Sequence, residues 1–396
     1  MATKKANSKD KSPVFSFDLT QETQAMLNSF VAVEPDTAFL ETGNIGFDMA
    51  LSNGLGMPIG SSVLFWAPPA CGKTTLLADV SKRLIAAHKA KGETFKVLYI
   101  AVEGSRELLK KMGLWEYYLS RDFLYVERSL CWRQIEQMYD MVLSNKGDYA
   151  GVKLIVIDSV NNVLSDQNMK NSIADGDYGT RSRERGNFYS KYLPMCKMAG
   201  VSTFMIAQIR QNQDSANNPY AEKKKAAASD ADKHNAEIII KCSAKTSHTD
   251  VVKLVEETAF GTEKSVERYI MELDPLSSSS KNRFDRTHKC EIMLEKGVGA
   301  CNYYVLRKLL ILHKFVKKSG SYYTFDKALC EAFNLPTKSM YKNDLDEIIN
   351  SHIAELVNFL KEMNCYSVVA VDQTTREEMT EEDVAAEQAK TTEEEE

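Results

Sequence analysis

A chain of 396 residues with 43% apolar side chains is long enough to bury a sizeable core and to divide into two or three structural units, which excludes a small peptide or a fully disordered chain. No run of about 18 apolar residues occurs, and the opening residues MATKKANSKDKSP hold no leader-like apolar stretch, so neither a membrane span nor a secretory signal is expected. The net charge of −5 is unevenly spread: from Thr375 onward the tail carries ten acidic and two basic residues, a net −8 that leaves +3 on everything before it.

In chain order, the first twelve residues hold four lysines against one aspartate, and FSFDLTQETQAMLNSF follows as one short amphipathic helix; residues 1–37 are therefore expected to be a basic arm with an N-terminal helix. Next, VLFW predicts a short strand, followed by the loop APPACGKTT and by TTLLADVSKRLIAAHKA, whose apolar residues at 76, 77, 80, 84 and 85 fall on one helical face. Runs rich in β-branched residues at 95–102 (FKVLYIAV), 152–160 (VKLIVIDSV) and 202–209 (STFMIAQI) predict further strands separated by helical stretches. The expected fold class is α/β, a central, mostly parallel sheet flanked by helices, over residues 38–300. After about Ala300, NYYVLRKLLILHKF reads as helix, KKSGSYYTF as a turn and a strand, and DLDEIINSHIAELVNFLKEM as one helical stripe with apolar residues at 345, 348, 349, 353, 356, 357 and 360; residues 301–372 are expected to form a small C-terminal α/β domain. Residues 373–396 read as an acidic disordered tail, either a solubility segment or a mobile polyanion that competes for a basic surface. The eight cysteines form no C-x-x-C pair, which argues against zinc and for reduced thiols in the cytoplasm.

The loop carries the chemistry. In a phosphate-binding loop, successive backbone N–H groups and a helix N-terminus point at the phosphates, a lysine neutralises them, and a hydroxyl joins a magnesium shell. Here Ala67, Pro68, Pro69, Ala70, Cys71, Gly72, Lys73, Thr74 and Thr75 occupy that stretch, with alanine where the usual pattern G-x-x-x-x-G-K-[ST] begins with glycine. The expected ligands are ATP and Mg2+, with Thr74 on the metal. Asp158 ends an apolar strand, where a P-loop ATPase holds magnesium, although the same residue type also serves strand-end turns. Ser159 follows it, so the water-activating base must lie elsewhere than in ATPases that place a glutamate directly after this aspartate.

Four of these segments in this order resemble the bacterial and phage RecA-type recombinases: TGNIGFDMALSNGLGMPIGS before the loop, FKVLYIAVEGS, VKLIVIDSV and GVSTFMIAQIRQNQ, with the resemblance running from about Thr42 to Phe325. The divergence would suit a phage-encoded member acting in the bacterial cytosol. By that resemblance, Glu103 would orient or deprotonate the attacking water, and Gln208 would contact the γ-phosphate and relay nucleotide state to the loop after it. In the stretch SSSSKNRFD, Lys281 and Arg283 would reach the phosphates of a neighbouring subunit, because the family's ATP lies at subunit interfaces of a helical filament. Two loops would face single- and double-stranded DNA. The first spans residues 165–179 and includes Met169 and Lys170; the second spans roughly 210–235 and includes Arg210, Lys223, Lys224 and Lys225. The lysine run could equally be a solvated charge cluster. Lys314, Lys317 and Lys318 would be weaker candidates for DNA contact. The chain departs from the family in lacking the glycine pair late in the second loop and the adenine-stacking tyrosine after Glu103. The activity implied is a DNA-dependent ATPase that pairs and exchanges homologous strands. The alternatives are a hexameric helicase or motor on the same core, and an ATP-binding DNA-annealing or scaffold protein with little hydrolysis.

Overall fold

Apolar runs too continuous for a half-exposed strand organise the molecule. In this computed structural model, which describes residues 38–52, 54–102, 106–170, 179–211, 224–226, 234–244, 252–257, 263–275, 289–363 and 365, the run VKLIVID forms β6 (Val152–Asp158), with six of its seven residues buried. Its neighbours are β3 (Ser62–Ala67), β4 (Lys96–Ala101), β5 (Phe123–Glu127), β7 (Ser202–Gln211) and β9 (Ile238–Ala244). These six strands are parallel, in the order β9-β3-β7-β6-β4-β5. Strands buried on both faces need helices on both faces, and the crossovers supply them.

One face is covered by α1 (Ile45–Ser52) and α2 (Lys73–Ala90); α2 buries Leu76, Leu77, Val80, Leu84 and Ile85, the stripe expected from the sequence. The short helices α3 (Arg106–Lys111) and α4 (Trp115–Leu119) lead from β4 towards β5. The other face is covered by α5 (Trp132–Leu143), leading from β5 towards β6, and, beyond the single turn α6 (Asp166–Lys170), by α7 (Thr180–Met198). Trp132, Tyr139, Phe188 and Tyr192 interlock between α5 and α7, with Tyr139 and Phe188 in edge contact at 4.8 Å.

The sheet continues past β9 in the opposite sense. β11 (Glu263–Pro275), β12 (Cys290–Glu295) and β13 (Gly299–Ala300) pair antiparallel, while β10 (Val252–Glu257) pairs with the first half of β11 and β8 (Lys224–Ala226) with the end of β7. A separate two-stranded ladder joins β1 (Phe39–Leu40) to β2 (Met57–Pro58). Among the described residues, those from Phe39 onward form one compact unit.

Towards the C-terminus come α8 (Asn302–Leu312), the hairpin β14 (Val316–Ser319) and β15 (Tyr322–Phe325), α9 (Lys327–Phe333), α10 (Lys342–Ser351) and α11 (Ile353–Glu362). Their apolar side chains, Leu306, Leu345, Ile349, Leu356 and Leu360 among them, join the same cluster as α1 and α2. The stripe expected as one helix is two, broken at His352. The Ser351 hydroxyl donates to the Ile348 carbonyl at 2.8 Å and the His352 ring lies 3.0 Å from the same oxygen, so side chains capture the acceptor that a continuing helix would use.

Candidate functional site: a phosphate-binding loop beside a buried aspartate

Because β3, β7 and β6 are adjacent and parallel, their carboxyl ends meet at one edge of the sheet, where ligands of open α/β sheets gather. Ala67 ends β3 as a fully buried strand residue paired with Gln208 of β7. Glycine is not required at a position with strand backbone, so alanine fits. The left-handed conformations come later in the loop, at Ala70 (φ 59°) and Gly72 (φ 93°). At Gly72 a second demand is added: a Cβ there would sit 2.2 Å from the Tyr269 hydroxyl oxygen of β11.

α2 starts at Lys73 with no side-chain cap, and its first turn contains no acidic residue. The leading N–H groups of a helix are otherwise unsatisfied, and with the positive end of the helix dipole they form an anion cradle. Pro68, Pro69, Ala70, Cys71 and Gly72 wrap the approach, and Thr75 lies in the first turn. Lys73 Nζ donates to the Pro68 carbonyl at 2.7 Å and lies 4.0 Å from Cys71 Sγ, which keeps the ammonium against the loop. Burial pushes the Cys71 thiol up despite the nearby lysine charge, so it remains a thiol.

Asp158 closes β6 almost completely buried. Thr74 Oγ1 donates to its Oδ2 at 2.7 Å, and the Tyr99 hydroxyl of β4 donates to the same oxygen at 3.0 Å. Burial raises the Asp158 carboxyl, while the Thr74 and Tyr99 hydrogen bonds and the Lys73 charge act in the opposite direction. Tyr99 is held well above its ordinary range by burial and by Asp158, so it stays a donor. A hydroxyl and a buried carboxylate in contact at the mouth of an anion cradle suit a hard cation shared with phosphate oxygens, so the residues fit magnesium and a nucleotide. Bound there, magnesium would neutralise charge on the phosphates. The Asp158 main-chain carbonyl accepts from Val102 N at 2.7 Å, which ties the end of β4 to the same edge.

Gln208 stands between the two halves of the site, since β7 runs between β3 and β6. Its N–H donates to Asn161 Oδ1 at 2.8 Å; Asn161 lies in the single 3-10 turn Val160–Asn162 that follows β6. Beyond Gln208 the strand continues to Gln211 and pairs with β8, Arg210 opposite Lys225 and Gln211 opposite Lys224. Met169 is exposed on α6, and Lys170 ends that helix. Lys314, Lys317 and Lys318 are exposed near the start of the C-terminal hairpin. Glu103, Lys223, Lys281 and Arg283 lie outside the described residues.

The fold thus gathers Lys73, Thr74, Asp158 and Gln208 at one edge. Three residues that the sequence did not single out support these from outside the cradle: Tyr99 bonds Asp158, Asn161 bonds the Gln208 N–H, and Tyr269 packs at Gly72. For Tyr99 the only signal was a polar tip inside an apolar run, and for Asn161 a polar residue directly after a buried strand. Among the described residues, no helix is long and apolar enough to cross a membrane. A family model described as an AAA domain matches residues 53–214, the span that contains the loop, Asp158 and Gln208. With the geometry above, that span is similar to the P-loop ATPase-like domains.

Proposed function

We propose that the chain is an ATP-dependent DNA recombinase that assembles as a helical filament on single-stranded DNA, with ATP between subunits, and exchanges homologous strands. The observation that carries this reading is the course of β7. The strand passes the nucleotide edge at Gln208, paired with Ala67 of the phosphate-binding strand, and then turns into a ladder whose return strand holds Lys224 and Lys225. Loss of a γ-phosphate at Gln208 would move the base of a lysine-bearing segment, which would loosen its hold on phosphates of DNA. In this reading Lys73 and the first turn of α2 hold the phosphates, Thr74 and Asp158 hold magnesium, and Glu103 prepares the attacking water. Lys281 and Arg283 act across the interface, and the C-terminal helices from α8 onward, packed on the same core, lie on the outside of the filament.

The test is ATP hydrolysis with and without single-stranded DNA, beside negative-stain microscopy of the same mixtures. Strong stimulation with helical filaments is expected, and Lys73→Ala should lose roughly a hundredfold or more of the turnover while its melting curve stays unchanged. Closed six-membered rings with directional unwinding would instead make the chain a motor on the same core. Strand pairing without ATP would make it an annealing protein.

A further inference from the structure

The ladder between β6 and β7 stops at Ile157 opposite Met205, three residues short of Gln208. The Gln208 N–H therefore turns to an acceptor outside the β6 ladder. Asn161 supplies it with a side-chain oxygen at 2.8 Å, although the residue itself is 7% exposed and polar. The main-chain carbonyl of the same residue accepts from Arg181 Nη1 at 3.4 Å, and Arg181 lies in the first turn of α7, directly after residues 165–179. Asn161 thus ties the turn that follows Asp158 to the strand end that carries Gln208 through its side chain, and to the helix that begins after the first loop through its main chain.

We infer that Asn161 is a positioning residue that couples nucleotide state to both loop segments, by making the end of β7 and the start of α7 move with the turn after Asp158. This rests on the recombinase reading, in which those segments meet DNA. A single neutral hydrogen bond is strong enough to bias two arrangements and weak enough to break and re-form in each cycle. A local link of this kind differs from a mere cap because its loss decouples two sites without weakening either one.

The experiment compares the wild-type chain with Asn161→Ala. Affinity for a fluorescent oligo-dT is measured with a non-hydrolysable ATP analogue and with ADP, beside nucleotide affinity and DNA-free hydrolysis. The variant should keep nucleotide affinity and DNA-free turnover within about twofold of wild type, while the ratio of oligo-dT affinities between analogue and ADP falls about tenfold, a typical coupling magnitude. An unchanged ratio would reduce Asn161 to a cap on a buried amide and overturn the inference alone. A wild-type chain that binds oligo-dT equally with both nucleotides overturns the recombinase reading instead. Should Asn161→Ala not fold, hydrogen exchange of the wild-type chain decides: peptides covering 160–164, 180–184 and 205–211 should change protection together between analogue and ADP. A change in 205–211 without the other two would sink the coupling.

Discussion

At Asp158, a single carboxylate oxygen receives two hydroxyl donors, Thr74 at 2.7 Å and Tyr99 at 3.0 Å, in a setting where burial disfavours the charged form. Thr74 belongs to the phosphate-binding motif itself, whereas Tyr99 acts from behind, fixing the direction in which Asp158 points. Outer partners of a metal-binding carboxylate set its orientation and basicity, and losing one commonly costs tenfold or more in metal affinity or activity. Tyr99→Phe keeps the ring and its stacking on Tyr125, whose centroid is 5.8 Å away, and removes only the hydroxyl. The variant should therefore melt within a few degrees of wild type and need about tenfold more magnesium for half-maximal turnover. A magnesium titration of hydrolysis checks this; an unchanged midpoint would mean that Thr74 alone orients the carboxylate.

Among the elements, those that depend on local pattern were legible. Four of the six parallel strands, β3, β4, β6 and β7, announced themselves as apolar runs, and α2 as a stripe at helical spacing, whereas β5 and β9 were not picked out. The antiparallel extension was not legible, because β11, EKSVERYIMELDP, mixes charges into its length and takes its partners from β9, β10 and β12 on either side. Tyr99 and Asn161 escaped for a related reason: their partners lie 59 and 47 residues away in sequence, and only the strand order brings them together. The pair that joins α8 to α10 is also of this long-range kind. Arg307 bonds both carboxylate oxygens of Asp346 and stacks over Tyr304 at 5.4 Å, with little exposure on either charged side chain. Removing one member strands the other. Arg307→Met should cost about 3 kcal/mol, whereas Arg307→Met combined with Asp346→Leu should recover most of it, because an apolar pair needs no ion solvation. Urea midpoints of the three proteins measure this, and equal losses in the single and double variants would show that the arginine stabilises by packing alone.

For the whole molecule, α1 occupies the junction where the sheet, the Thr42 turn and the C-terminal helices share one apolar cluster. Lys361 of α11 pairs with Glu41 at 2.6 Å, while Asp48 of α1 accepts Thr42 Oγ1 at 2.7 Å and the Thr42 N–H at 3.1 Å. Burial outweighs those hydrogen bonds and pushes the Asp48 carboxyl up to about 7. An unfolded aspartate titrates near 3.9, so from roughly pH 4 to pH 7 the folded chain keeps a proton that the unfolded chain has released. Stability from this residue is therefore complete below the unfolded value and is lost as pH rises through about 7, opposite in sign to a salt-bridged carboxylate. Other groups add their own slopes, so the comparison with Asp48→Asn isolates this one: the amide retains an acceptor for Thr42 and cannot ionise. Between about pH 5.5 and about pH 8 the wild-type chain should lose roughly 2 kcal/mol relative to the variant. Parallel urea curves for both proteins at the two pH values test it. If the two chains change by the same amount, Asp48 is charged throughout, and the Thr42 hydrogen bonds, rather than a retained proton, hold this junction closed.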